Sequence, residues 1–213
     1  MINKILEIIF PNVCGICGKI DKNNLCSQCK IKLKKLIKAN ITKMSNKNFT
    51  NLAYLFNYGG IIREKIIKYK FKDSAYLYKT FAEIIIKNKK MCGFIKNYDI
   101  IIPVPIHKKR YKERGYNQSE LLASEIARTL NISIEKHVLT KNVNNTPQSK
   151  LSKIERKNNA NGVYKIINAQ KIKNKKIIII DDIYTTGSTA NECSKVLKQA
   201  GASEIAVFTI AKD

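Results

Sequence analysis

The chain is 213 residues long and 44% hydrophobic, as a soluble globular protein is, with room for one full α/β core and a small appendage. Its 40 Lys and Arg residues against 16 Asp and Glu leave a formal charge of +24, the electrostatic footprint of a phosphate-rich partner. Lysine supplies 35 of those cations and arginine 5, amid many Ile and Asn, so chain-wide compositional bias competes with a designed basic patch as the source.

The opening MINKILEIIFP has a short apolar run broken by Glu7 and no small-residue cleavage site, so it reads as an amphipathic helix of the folded protein. No stretch approaches the roughly 20 apolar residues of a membrane span, and a cytoplasmic protein is expected. Next, Cys14, Cys17, Cys26 and Cys29 form C-x2-C-x8-C-x2-C, while Cys92 and Cys193 stand alone as packing thiols. Each C-x2-C pair offers two thiolates from one tight turn, helped by Gly15 and Gly18, and together they match the four tetrahedral ligands of a structural Zn²⁺. A redox dithiol is the alternative, although it needs one such pair rather than two; disulfides are disfavoured in a reducing compartment.

KIKLKKLIKANITKMSNKNFTN follows as a basic helix or connector, so residues 1–45 are expected to form an N-terminal module and 46–213 the main domain. LAYLFNYGG predicts a strand closed by a glycine turn, and IIREKIIKYKFK a helix with Ile62, Ile66 and Tyr69 on one face. Another helix is expected over residues 76–89. YDIIIPVPI, continuously apolar and bounded by prolines, predicts a central parallel strand. SELLASEIARTLN predicts a helix burying Leu122, Ile126 and Leu130, with Ser119 as its cap. After SIEKHVLT and a long polar stretch over residues 141–162 come strand KKIIIIDD, helix ANECSKVLKQ stopped by Gly201, and strand EIAVFTIA. This alternation predicts a doubly wound, mainly parallel α/β sheet with its ligand at the carboxyl ends of the strands.

Asp181 and Asp182 fall at such an end, and Thr185, Thr186, Gly187, Ser188 and Thr189 lead from them into the next helix. A loop entering a helix N-terminus offers free backbone N–H donors and a favourable dipole, which suit a phosphate. Two carboxylates beside that anion site serve neutral hydroxyls, or a hard cation such as Mg²⁺ held through oxygens and water, so a sugar phosphate meets both demands. The plainer reading is a capped turn whose acids satisfy loop amides, but capping needs one acid and this loop has two. A P-loop is excluded because its lysine is missing.

IIIIDDIYTTGSTA resembles the phosphoribosyl pyrophosphate (PRPP) motif of type I phosphoribosyltransferases. With IIPVPIHKKRYKERGYNQSELLA, TPQSKLSKIERKNNANGVY and the four-cysteine segment in the same order, nearly the whole chain is similar to the ComF family of competence-associated phosphoribosyltransferase-like proteins. The resemblance implies a type I phosphoribosyltransferase-like fold with a zinc-ribbon-like module, PRPP binding with Mg²⁺, and a place in natural transformation, where single-stranded DNA reaches the cytoplasm. It gives Asp181 and Asp182 to the ribose hydroxyls and the water shell of the metal, and Thr185 to Thr189 to the 5′-phosphate. Pro103, Val104 and Pro105 would meet pyrophosphate, with Arg110 and Arg114 as bidentate cations and Gly115, Tyr116, Asn117 and Gln118 shaping their loop. Gln148, Leu151, Arg156 and Asn159 match a long loop that closes over PRPP.

Two departures bear on catalysis. Thr185 stands where purine-salvage enzymes of the superfamily carry an acid facing the base, and no segment reads as a nucleobase pocket. There is also no room for the glutamine amidotransferase half of the first purine-synthesis enzyme. As an enzyme, the protein would displace pyrophosphate from C1 of PRPP through a cation-like sugar transition state, stabilised electrostatically and without a nucleophilic side chain. His107 reads as a solvated or capping residue there rather than a catalytic one. A second reading is a non-catalytic protein with a sensory or vestigial PRPP site. In it, the zinc module with Lys30, Lys32, Lys34 and Lys35 holds single-stranded DNA, and Tyr54, Phe56 and Tyr58 serve as stacking faces unless they pack in the core. A third makes the zinc module a docking surface for a helicase or another uptake component.

Overall fold

The computed structural model of the protein describes residues 11–71, 74–142 and 162–213. In chain order these form helix α1 (Ser27–Lys34), strands β1 (Ile37–Lys43) and β2 (Asn51–Asn57), and helices α2 (Gly60–Tyr69), α3 (Leu77–Lys87) and α4 (Lys89–Ile95). Strand β3 (Ile100–Pro103), helices α5 (Lys108–Arg114) and α6 (Gln118–Leu130), and strands β4 (Ser133–Ile134), β5 (Leu139–Lys141) and β6 (Tyr164–Ile166) follow. The chain closes with β7 (Lys176–Tyr184), α7 (Ser188–Gln199) and β8 (Glu204–Lys212).

Six strands make one sheet in the order β1-β2-β8-β7-β3-β4, and β5 pairs with β6 in a separate two-stranded sheet. All neighbours in the large sheet are parallel except β1 and β2. Ile177, Ile178, Ile179 and Ile180 are fully buried, as a strand covered on both faces requires. Ile178 and Ile180 join a core with Ile62, Ile66, Phe81, Leu122 and Ile126, whereas Ile177 and Ile179 join Tyr164, Cys193 and Leu197 on the opposite face. The fold is therefore the doubly wound α/β sheet that the alternation predicts.

From β3 the chain crosses through α6 to β4 on one side, while β7 pairs with the other side of β3. The strand order reverses between β3 and β7, and a crevice opens at the carboxyl ends on either side of such a point. The register deepens it. Pro103, the last residue of β3, pairs with Ile180, but β7 and β8 continue together to Tyr184 and Lys212.

Several local expectations give way. The basic helix or connector splits into α1 and the edge strand β1, which adds antiparallel to β2. Its alternation is hidden in the sequence by a bulge at Ala39, whose φ of +46° shifts the register between Ile37 and Asn40. The helix expected over 76–89 ends at Lys87, and Asn88 starts α4 by accepting the Met91 N–H on its side chain. The N-terminal helix reading falls in 1–10, outside the described residues.

The cysteine segment is packed against the sheet domain. Cys14, Cys26, Cys29 and Leu33 share one core with Leu77 and Phe81 of α3. Gly15 lies so close to Thr80 that any side chain there would collide, and the Thr80 hydroxyl donates to the Asn24 carbonyl at 3.0 Å.

Candidate functional site

At the carboxyl ends of β7 and β8 an open cleft is lined by Asp181, Ile183, Tyr184, Thr185, Gly187, Ser188, Thr189, Ala190 and Thr209. The predicted loop residues Thr185 to Thr189 thus stand together with Asp181. Tyr184 and Gly187 fix the bend: Gly187 caps α7 with φ +75°, and a methyl group there would run into the Tyr184 hydroxyl. Thr186 and Ser188 hydroxyls lie 2.9 Å apart, and the Asn191 N–H donates to the Gly187 carbonyl. A hydroxyl-rich loop at the amino end of a 12-residue helix can hold a phosphate.

Along β7 the strand alternation sets Asp182 on the side of Ile178 and Ile180, and Asp181 on the side of Ile177 and Ile179. Ser119 Oγ donates to Asp181 Oδ1 at 3.0 Å, and the Asp182 N–H donates to the same oxygen at 2.9 Å. Burial, and after it the Asp182 charge, raises the Asp181 carboxyl to about 7. Asp182 Oδ2 pairs with Lys70 Nζ at 3.1 Å, and Asp182 is the main cause holding Lys70 above the ordinary lysine range.

Ser119 is therefore not the α6 cap. Asn117 is, accepting from the Ser119 N–H at 3.1 Å while its Nδ2 donates to the Val104 carbonyl at 3.0 Å. Val104 also donates its N–H to Ile180, so both its backbone groups are used in placing the turn after β3. His107 caps α5, as the capping reading expects, by accepting from the Lys109 N–H at 3.2 Å. Arg114 Nη1 donates to Gln118 Oε1 at 3.0 Å; burial and then the Arg110 charge lower its pKa. Burial and then Arg110 also lower Lys141, which stacks on the Tyr164 ring at 5.6 Å. Gln148, Leu151, Arg156 and Asn159 lie outside the described residues.

Lys70, Ser119 and Tyr69 were not legible as site residues, whereas Tyr116 was read as shaping the loop before α6. The Tyr69 hydroxyl donates to the Gln118 carbonyl at 2.7 Å, and the Tyr116 hydroxyl lies against the carbonyls of Tyr69 and Phe71. These bonds lock the end of α2 to the start of α6. An amphipathic helix whose last turn carries Tyr-Lys-Phe is the signal that was available.

The donor chemistry fits a divalent cation near Asp181 and Asp182: two carboxylates and neighbouring hydroxyls are the hard oxygen ligands that Mg²⁺ takes, partly through water. The cysteine cluster is more specific. Cys14, Cys17, Cys26 and Cys29 place their sulfurs within 4.8 Å of one another, close to the ~3.8 Å edge of a zinc–thiolate tetrahedron built on ~2.3 Å bonds. Burial opposes ionisation of Cys14, yet backbone N–H donors at Cys26, Cys17 and Ile16 bring it down to about 6, while burial raises Cys29. Four thiolates held this close would need a central cation.

A family model for the phosphoribosyl transferase domain matches residues 117–213, from the α6 cap through the carboxylate pair to β8. Competence protein F of Haemophilus influenzae is 30% identical over 151 residues, covering 69% of this chain and 66% of that protein. Competence protein ComFC of Bacillus subtilis is 27% identical over 223 residues, covering 97% of this chain and 80% of that protein. DNA utilization protein YhgH of Shigella flexneri is 31% identical over 114 residues, covering 54% of this chain and 49% of that protein. With the doubly wound sheet, the loop at its switch point and the four-cysteine module in one chain, the protein belongs to the ComFC family of competence-associated phosphoribosyltransferase-like proteins.

Proposed function

We propose that the protein binds PRPP with Mg²⁺ in the β3–β7 crevice and serves DNA uptake in the cytoplasm, acting on or beside incoming single-stranded DNA. The observation that carries this reading is Asp181 standing in one cleft with the hydroxyl-lined start of α7, with Asp182 next to it on the other face of β7. That arrangement offers acceptors to ribose hydroxyls and donors to a 5′-phosphate within one cleft. Competence protein ComFC and DNA utilization protein YhgH supply the DNA side by their names.

In this reading Asp181 and Asp182 hold the ribose and the water shell of the cation, Thr185 to Thr189 hold the phosphate, and the Pro103–Pro105 turn meets pyrophosphate. Arg110 and Arg114 draw on the leaving pyrophosphate as charge-assisted donors. Bound Mg²⁺ would supply further neutralisation of that leaving charge. The chain's residues favour electrostatic stabilisation of a phosphoribosyl transfer, with no covalent nucleophile required. Cys14, Cys17, Cys26 and Cys29 hold structural zinc in the N-terminal module, whose last strand, β1, pairs with β2 of the main sheet.

Single-stranded DNA would ride on α5, which has no buried residue and carries Lys108, Lys109, Arg110, Lys112 and Arg114. Tyr111 on that helix and Phe71 near its end are 49% and 63% exposed, so both can stack on bases. Tyr54 and Phe56 are buried and Tyr58 is half-buried against the core, which favours packing over stacking there. A second reading has its own observation: Ile20, Ile31 and Leu36 are exposed in and just after the cysteine segment, apolar side chains open to a helicase or another uptake component.

The test is thermal unfolding of the zinc-loaded protein with PRPP and Mg²⁺. A rise in midpoint that grows with PRPP concentration supports the reading, because a ligand of the native state stabilises by mass action. An unchanged midpoint at saturating PRPP contradicts it.

A further inference from the structure

The residue that pairs with Asp182 comes from another part of the sheet domain. Lys70 follows α2, and its backbone is gripped on both sides. The buried Tyr69 ring precedes it with its hydroxyl on the Gln118 carbonyl, and the Tyr116 hydroxyl reaches the carbonyls of Tyr69 and Phe71 on either side of Lys70. Its own N–H donates to Ile67 and Lys68. The anchored backbone leaves the side chain as the part that can move, and that side chain is 32% exposed.

Its ammonium lies 3.1 Å from Asp182 Oδ2, and among the described residues this is the ion pair that the two carboxylates make. Asp181, by contrast, is met by neutral donors, the Ser119 hydroxyl and the Asp182 N–H. Arg114 also acts on Lys70, from the side of the pyrophosphate turn, and its repulsion opposes the hold of Asp182. Lys70 thus stands between the anions of the protein and the place where those of the ligand would arrive.

We propose that Lys70 is a positioning residue that latches the carboxylate pair: it neutralises Asp182 in the free protein and passes to a phosphate oxygen when PRPP enters. The inference rests on the PRPP reading of the site. Two neighbouring carboxylates without a cation repel each other and attract a divalent metal. With the ammonium in place one of the two charges is neutralised and that attraction is weakened, so the metal enters with the polyphosphate in preference to entering before it. A flexible ammonium with three donors suits a role that changes partners, whereas a rigid guanidinium fork suits a fixed one.

The test is calorimetry on the zinc-loaded protein, titrating MgCl2 alone and then PRPP in the presence of Mg²⁺. The Lys70→Met variant is expected to bind Mg²⁺ alone at least about tenfold more tightly than wild type, the direction fixed by removing one cation from the pair. The same variant is expected to lose about ten- to a hundredfold in PRPP affinity, the scale of one charge-assisted hydrogen bond. Lys70→Gln should show the same opposed shifts and serves if Met at this position fails to fold. Lys70→Arg should retain the low affinity for Mg²⁺ alone. Opposed shifts are what a merely structural lysine does not produce. Unchanged affinities for both ligands overturn the latch, as does a parallel loss of both in a variant with the wild-type melting curve. Should wild type ignore PRPP while Lys70→Met still gains Mg²⁺ binding, the PRPP reading fails and the control of the carboxylates by Lys70 stands.

Discussion

Asp181 is a carboxyl whose surroundings favour its proton, since burial first and the Asp182 charge second raise it to about 7. A native-state value above the ordinary ~3.9 means the folded protein binds this proton more tightly than the unfolded chain does. The resulting stability is complete at low pH and is lost as pH rises through about 7. Urea unfolding of the zinc-loaded protein without Mg²⁺ and of Asp181→Asn should therefore diverge from about pH 4 to about pH 7, wild type losing ground to the variant. Parallel curves would show that Asp181 ionises as an ordinary carboxyl. Gly187→Ala should cost about 1–3 kcal/mol in the same assay, since φ +75° and the Tyr184 hydroxyl both oppose a side chain. Adding Tyr184→Phe should recover only the hydroxyl's part of the clash, because Cζ and Cε2 of the ring would still collide with the new methyl. Asp181, Asp182 and the Thr185–Thr189 loop were readable because their chemistry is contiguous in the chain. Lys70 and Ser119 were not, because each reaches the pair from a separate element. Ser119 was misread as a cap for a physical reason: Asn117, two residues earlier, takes that role, and Ser119 Oγ then binds Asp181.

At the scale of elements, the isoleucine run of β7 and the amphipathic faces of α2 and α6 were legible from apolar spacing: Ile62, Ile66, Tyr69, Leu122 and Ile126 are buried as that spacing predicts, whereas Leu130, in the last turn of α6, is only half-buried against the same core. Strand β1 was not, because lysines crowd it and the bulge at Ala39 interrupts its period of two. The clustering of the four cysteines was legible from their spacing, but not their attachment to α3 through the close approach of Gly15 to Thr80. That attachment makes the module part of the core rather than a tethered finger. Chelating the metal, or the change Cys26→Ser, should thus lower the midpoint of the whole protein and keep a single transition in calorimetry, since native metal sites carry folding energy. An early, separate transition with the main midpoint unmoved would mean that the module unfolds alone.

Across the whole molecule, the charge of +24 is spread through a lysine-rich chain, so a DNA path must be tested locally. The exposed α5 beside the crevice gives that test a place. If single-stranded DNA follows this helix, Lys108→Glu with Lys112→Glu should weaken oligonucleotide binding and lower the slope of log affinity against log salt by about two counterions. An unchanged slope in fluorescence anisotropy would place the DNA elsewhere on the basic surface. The sheet topology brings α5, α6, β7 and α7 to one edge, so the site is assembled by the fold and only its central loop is continuous in sequence. Isothermal titration of PRPP with Mg²⁺ into the zinc-loaded protein, beside an Asp181→Asn, Asp182→Asn double variant, tests the central claim most directly. Saturable binding by wild type that the folded variant loses is the predicted result; no binding by folded wild type, or equal binding by both, would contradict a PRPP site built on these two carboxylates.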